Sequence, residues 1–358
     1  MSDESTDLVY VSDEMPGIRR VRRGPGFAYR CCDGGWLRDR AEIERIRRLA
    51  IPPAYSEVWI CPLPNGHLQA TGRDARGRKQ YRYHPAWSAS RGSQKFDRLS
   101  AFGHALPRIR ARVARDLRPV RGRPPLSRSR VLATIVRLLD TTLVRVGNDA
   151  YARGNASYGL TTLRNPHAKV GADRLQLRFR GKSGVLHEIT VHDPQLARIV
   201  RRCQELPGQE LFQYQDENGD VHRIGSADVN SYLGELAGEH FTAKDFRTWH
   251  GSVQALALSC KALQGLTEGE RFPAKQVLGE VAGLLRNTAS VCRKSYIHPR
   301  ILALWQALGT AADTDGATRM AESICGERPA RSAARRPVAE QRLLDFLAVK
   351  PMRQRKVR

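Results

Sequence analysis

The chain has 358 residues, and its 60 Lys and Arg against 36 Asp and Glu leave a net charge of +24 and a pI of about 10.5. A hydrophobic fraction of 41% excludes wholesale disorder, and the length allows two domains with ample core. So basic a balance calls for a polyanionic partner, nucleic acid first; a membrane surface is disfavoured because the chain has no long apolar run and no Lys/Arg-faced amphipathic helix of useful length.

The opening stretch MSDESTDLVYVSDEMPG carries five acids and no Lys or Arg, the wrong charge for a signal or transit peptide. The chain up to about residue 95 reads as small and strand-rich. Residues 41–51, AEIERIRRLAI, set Ile43, Ile46, Leu49 and Ala50 on one face of a short helix. VWICPLPNGHLQATGRD then gives an apolar run, a Pro/Asn/Gly turn and alternation through Leu68 and Ala70, a hairpin pattern. Beyond the connector VRGRPPLS (120–127) the periods become helical. SRSRVLATIVRLLDTTLVRVG places Leu132, Ile135, Val136, Leu139 and Leu143 on one stripe, with Ser127 or Ser129 as its cap and Arg145 at its end.

One β excursion interrupts the helices. In RLQLRFRGKSGVLHEITV, Leu175, Leu177 and Phe179 alternate with polar residues, Ile189 and Val191 do so on the return, and Gly181-Lys182-Ser183-Gly184 makes the turn. From Glu327 onward ten Lys and Arg oppose three acids, and only EQRLLDFLA looks helical, so the end reads as a flexible basic tail. The seven cysteines include no CxxC pair, and vicinal Cys31 and Cys32 are too close for an ordinary disulfide. The pattern predicts a reduced, cytoplasmic protein without a structural metal.

Four short stretches are candidates for chemistry. GKS at 181–183 is not a phosphate loop, because position 176 is Gln where that motif needs Gly and a strand follows where it needs a helix. It leaves Lys182 as a long cation on a hairpin turn. TAKDFRTWHGS puts Lys244 and Arg247 on nearly one helix face. LVRVGNDAYA carries Arg145, and LLRNTASVCRKSY reads as a helix end, a Thr288 or Ser290 cap and a second short helix bearing Tyr296. Each has a bland alternative: a turn lysine in solvent, a solvated helix face, a helix-terminal arginine, a surface tyrosine.

Taken in order, two arginines, a hairpin lysine, a polar donor and a C-terminal tyrosine resemble the type IB DNA topoisomerases of the small poxvirus-like and bacterial kind. The resemblance runs from about Gly17 to about Leu308 and includes IPPAYSEVWICPLPNGHLQATGRDARGRKQYRYHPAW, RVGNDAYARGNASYGLTTLRNPHAKV, LRFRGKSGVLHEITV, TAKDFRTWHG and VCRKSYIHP. It implies an α+β protein: a small β-rich N-terminal domain over 1–94, a mainly helical catalytic domain of the tyrosine recombinase and topoisomerase IB type over 95–310, and the basic tail over 311–358. It implies Tyr296 as nucleophile, Arg145 and Arg247 on the scissile phosphate, Lys182 as general acid and Lys244 as the residue three before the second arginine. Gln80, Tyr81 and Tyr83 match the strand that the small domain lays against DNA. Asn287 occupies a slot that is histidine in the viral relatives, so it donates only a neutral hydrogen bond.

The chemistry agrees with these roles. Attack of a phenol on a phosphodiester builds negative charge on two non-bridging oxygens, which arginine forks fit, and the leaving 5′ oxygen needs a proton that a lysine can supply. A 3′-phosphotyrosine conserves the broken bond, so the reaction calls for no metal and no nucleotide cofactor. The implied protein is a cytoplasmic, nucleoid-associated monomer that clamps duplex DNA. A tyrosine recombinase would share the chemistry but would usually show His-x-x-Arg where this chain has Lys244-Asp-Phe-Arg247. A non-catalytic DNA-binding protein explains the charge but not the register of Tyr296, Lys182 and both arginines.

Overall fold

The computed structural model describes residues 8–119, 122, 124–266, 270–309, 325–326 and 337–349. The chain divides into two compact units, Met1–Lys95 and Phe96–Arg358.

The first unit is a five-stranded antiparallel sheet with one helix packed on it. Strands β1 (Ile18–Arg23), β2 (Gly26–Arg30), β3 (Ser56–Ile60), β4 (Leu68–Arg73) and β5 (Lys79–Tyr83) lie in the order β2-β1-β3-β4-β5. Alternation along β3 decides the two faces. Val58 and Ile60 join Ile18, Ala70 and Ile46 of helix α1 (Arg40–Arg48), while Trp59 joins Val11, Cys61 and Leu68. Asp39 starts α1 by accepting from the Ala41 amide at 2.9 Å. Gly17 lies flat against the Trp59 indole, where a Cβ would fall 2.1 Å from Nε1. Strand β5 forms one edge of the sheet, with Tyr81 and Tyr83 exposed and their rings stacked 6.1 Å apart. Helix α2 (Pro85–Asp97) follows.

The second unit is mainly helical. Its core gathers α3 (Leu99–Leu117), α4 (Arg128–Thr142), α7 (Ser226–Ala237) and α8 (Ala243–Gln264) around Phe102, Phe241, Phe246 and Trp249. A Cβ on Gly103 would overlap the Trp249 ring, so α3 and α8 approach at a glycine. Between α4 and α7 come α5 (Asp149–Asn155), a three-stranded sheet of β6 (Ala168–Val170), β7 (Arg174–Arg180) and β8 (Leu186–His192), helix α6 (Pro194–Gln204) and a small hairpin of β9 (Gln213–Gln215) and β10 (Val221–Arg223). Strand β7 buries Leu175, Leu177 and Phe179 and exposes the residues between them, as its alternation predicts. Helices α9 (Ala274–Leu285), α10 (Ala289–Ser295) and α11 (Pro299–Gly309) complete the fold with α12 (Val338–Ala348).

Three details differ from the reading of the sequence. First, α4 stops at Thr142, because Leu143 turns left-handed at φ 58°; Arg145 therefore lies on a loop and not at a helix end. Second, Cys260 and Cys325 form a disulfide, against the expectation of wholly reduced thiols. Local spacing could not suggest this pair, since the two residues are 65 positions apart. Third, residues 337–349 of the expected flexible tail pack into the helical core. Leu343, Leu344 and Phe346 of α12 are buried there, and Glu340 meets Arg110 at 2.7 Å. Arg110 also pairs with Asp140 at 2.7 Å, and His250 bonds the same carboxylate at 2.9 Å. Burial alone would raise the Asp140 carboxyl, but His250 and Arg110 hold it down at about 2. Removing one partner from a buried ionic set costs roughly 3–5 kcal/mol, so α12 is integral to this unit. The remaining parts of the tail, 311–324, 327–336 and 350–358, lie outside the described residues. Among the described residues no helix is long and apolar enough to cross a membrane.

Candidate active site

Four segments of the helical unit converge. The loop after α4 brings Arg145, and its path is set by a close crossing of backbones: a Cβ on Gly159 would fall 2.6 Å from the Arg145 carbonyl and 2.5 Å from the Gly147 amide. That carbonyl accepts from Leu160 at 2.9 Å, and Val146 accepts from Thr161 at 2.7 Å. Arg145 is therefore presented from a fixed rim and donates to the side-chain carbonyl of Asn287.

Helix α8 brings Lys244 and Arg247. Asp245 fastens its start, accepting from the Thr242 amide at 2.7 Å and from the Thr242 hydroxyl at 3.0 Å. Lys244 is exposed on the first turn, whereas Arg247 is 3% exposed. One terminal nitrogen of Arg247 donates to the Leu143 carbonyl and the other to the Leu285 carbonyl at 2.7 Å. Its guanidinium thus ties the end of α4 to the end of α9, and it lies 4.9 Å from the centroid of the Tyr296 ring.

The third segment runs from α9 through α10. Arg286 ends α9 in the left-handed region, and the Asn287 amide donates back to the Ala282 carbonyl at 2.9 Å. Thr288 caps α10 by accepting from Val291 at 3.3 Å, which settles the choice between Thr288 and Ser290. Tyr296 closes that helix, 8% exposed. Its carbonyl accepts from the Ser252 hydroxyl at 3.1 Å, and the same hydroxyl accepts from the His298 amide at 3.0 Å. Gly251 leaves room for this seat: a Cβ there would come within 2.7 Å of the Tyr296 carbonyl oxygen.

Charge in this pocket works on the phenol. Burial by itself would raise the Tyr296 pKa, but the charge of Arg247, a hydrogen bond from it, and the charges of Arg145 and Lys244 hold it below the usual tyrosine value. Arg145 is drawn down by burial and by the adjacent Arg247, with Tyr296 acting the other way. The Arg247 Nε and the Asn287 side-chain amide nitrogen are buried and bond no oxygen among the described residues, the amide lying beside the Cys292 thiol. Both are donors of the kind that an anionic oxygen takes.

The fourth segment is the β7–β8 hairpin. Its turn carries Lys182 into solvent, with Ser183 and Gly184 left-handed at φ 65° and 76°. Beneath it His187 is 3% exposed, stacks on Phe179 with centroids 4.8 Å apart, and leaves no space for a Cβ on Gly181. Burial, helped by the charges of Arg286, Arg145 and Arg247, lowers the His187 imidazole to about 4.

Tyr296, Arg247, Arg145 and Asn287 are thus brought together, with Lys244 near enough to act on the phenol. Lys182 has no hydrogen bond or ion pair to any described residue, but the Arg286 guanidinium donates to the Glu188 carbonyl of its return strand at 2.9 Å. Gln80, Tyr81 and Tyr83 stand on β5 of the other unit, where Asp74 accepts from the Gln80 side chain at 3.0 Å. The sequence reading passed over Gly251, Ser252, His187 and Arg286. Ser252 lies five residues after Arg247 in a stretch already singled out, but nothing local shows that its hydroxyl seats a residue 44 positions away.

Known proteins resemble this chain along most of its length. The family described as "Eukaryotic DNA topoisomerase I, catalytic core" matches residues 84–309, and "Bacterial DNA topoisomerase IB, N-terminal domain" matches 26–74. The chain is 33% identical over 300 residues to "DNA topoisomerase 1B" of Acanthamoeba polyphaga mimivirus, covering 82% of this chain and 88% of that one. It is 24% identical over 276 residues to "DNA topoisomerase 1B" of vaccinia virus strain Copenhagen, covering 74% and 82%.

Proposed function

The chain belongs to the type IB DNA topoisomerase family, and from that membership we propose a role for each residue of its site, with Tyr296 as the nucleophile. The protein is an isomerase that relaxes supercoiled duplex DNA without ATP, through a phosphotyrosine intermediate.

In the proposed assignment the Tyr296 hydroxyl gives its proton to solvent, its oxygen attacks the scissile phosphorus and the 5′ oxygen leaves. Arg145 and Arg247 take the two non-bridging oxygens as charge grows there, and the Asn287 amide adds a neutral donor. Lys182 gives its proton to the leaving oxygen. The cut strand then carries a 3′-phosphotyrosyl end and a free 5′ hydroxyl, which reverses the step after the helix has swivelled. The bond energy stays in the ester, which is why the cycle runs without an external energy source. Gln80, Tyr81 and Tyr83 on β5 lie against the duplex, and the enzyme works as a monomer in the cytoplasm, on nucleoid DNA.

One observation carries the assignment: two guanidinium groups act on a single buried phenol and hold its pKa down against its burial. An ordinary core tyrosine has no need of this. The test is plasmid relaxation in EDTA without ATP, followed by denaturant trapping of the DNA adduct. Wild type should relax the plasmid and yield an adduct on Tyr296; Tyr296→Phe should bind DNA and do neither. An adduct on another residue would remove Tyr296 from the mechanism.

A further inference from the structure

Three consecutive residues at the end of α9 tie together groups from distant parts of the chain. The Leu285 carbonyl accepts from Arg247, the Asn287 side chain accepts from Arg145, and between them Arg286 reaches the Glu188 carbonyl on β8. Strand β8 is the return strand of the hairpin that presents Lys182. The two phosphate-binding arginines and the hairpin are thus referenced to one turn.

Arg286 occupies a costly position. Its φ of 49° and ψ of 55° are left-handed, a conformation that costs a side-chain-bearing residue roughly 1–2 kcal/mol and that glycine adopts freely. The side chain that makes this backbone expensive is the one that spans to β8. Its second terminal nitrogen, Nη1, is buried without a partner among the described residues, although Arg286 as a whole is half-buried. Among charged groups it is the leading influence on His187, the imidazole packed beneath the hairpin.

We propose that Arg286 is a positioning residue for proton donation: it latches the Lys182 hairpin to the α9–α10 turn, so that the ammonium meets the leaving oxygen in register with Arg145 and Arg247. This rests on the reading of Lys182 as the general acid. Displacement of a catalytic group by about 1 Å can cost ~10²-fold in rate, so a latch of one hydrogen bond is enough to matter.

The test compares single-turnover cleavage of two duplexes, one with the ordinary 5′ oxygen at the scissile bond and one with sulfur there, a leaving group that needs little protonation. Wild type, Lys182→Ala, Arg286→Ala, Arg286→Gly and Arg286→Lys are measured on both, together with melting temperature and DNA affinity. Arg286→Ala and Arg286→Gly should slow the oxygen duplex by roughly 10–100-fold and leave the sulfur duplex near wild type. Arg286→Gly should melt no lower than wild type, since it removes backbone strain, and Arg286→Lys should recover part of the rate. Adding Arg286→Ala to Lys182→Ala should slow the oxygen duplex no further. Equal slowing of both duplexes, or an Arg286→Gly enzyme as fast as wild type, overturns the latch while Lys182→Ala is still rescued by sulfur. If Lys182→Ala itself slows both duplexes equally, the general-acid reading falls and the latch falls with it.

Discussion

Arg247 is 3% exposed and tied to two backbone carbonyls, whereas Lys182 stands in solvent on a hairpin turn with no partner among the described residues. In the proposed mechanism the same reaction draws on both ends. Developing negative charge is best met by donors already in place, because reorienting them during the reaction would consume the stabilisation they provide. Proton transfer needs only a brief alignment, and a solvated donor on a turn can supply it once DNA is bound. The tyrosine end is therefore part of the core, and the lysine end is an accessory held at its base.

Substitutions test that contrast. The largest effect is expected at Arg247. Arg247→Ala should cut single-turnover cleavage by ~10³-fold and also lower the melting temperature, because each carbonyl left without its donor costs roughly 1–3 kcal/mol. Arg247→Lys should not restore the rate, since an ammonium cannot span two acceptors as a planar fork does. Loss of cleavage with unchanged melting would mean that Arg247 is no strut, and the contrast with Lys182 would fail.

Gly251→Ala comes next. The added methyl would sit 2.7 Å from the Tyr296 carbonyl oxygen and 3.0 Å from its Cβ, so the tyrosine must shift. Cleavage should drop by ~10²-fold with DNA affinity intact, as read by filter binding beside the cleavage assay. A wild-type rate would show that the seat tolerates movement.

Asn287→Ala should cost about as much, ~10²-fold or about 2.7 kcal/mol, the usual loss for one preorganised donor. Asn287→His should stay active and gain a pH dependence near neutrality, because imidazole titrates there. Single-turnover rates between pH 5.5 and 9 separate the two variants. If Asn287→Ala cleaves like wild type, Arg145 needs no help from the Asn287 side chain.

The smallest effect belongs to the lysine end and concerns stability alone. His187 is neutral in the folded protein down to about pH 4 but titrates near 6.5 when unfolded. Unfolding takes up a proton between those values, so stability is complete above about pH 6.5 and falls as pH drops toward 4. His298, likewise lowered to about 4 by burial, adds to the fall. Melting temperatures from pH 7.5 to 4.5 should decline less steeply for His187→Phe than for wild type. Parallel curves would show that His187 takes up no proton on unfolding.

Much of this architecture was legible from local pattern. Alternation gave away β7 and the β3–β4 pair, and 3.6-residue periods gave away α1 and α4, although α4 is buried on nearly all sides and not along one stripe. Tyr296, Arg145, Arg247 and Lys182 stood out only as an ordered set, since no single one departs from the ordinary. What local pattern could not carry was closure between distant residues. Ser252 seats Tyr296, Arg286 reaches Glu188, and Cys260 joins Cys325, all across long loops of chain. The docking of α12 was missed for a compositional reason: EQRLLDFLA reads as a helix, but its basic flanks gave no sign that three of its apolar residues are buried in the core.

That docking bears on how the enzyme is made. Some fifty residues separate Tyr296 from the end of α12, which at about 5–20 residues per second is roughly 3–10 seconds of synthesis. During that interval a nascent chain already carries every residue of the candidate site, yet Arg110 still lacks the carboxylate of Glu340. The cutting machinery is spelled out before the scaffold that steadies it has been translated.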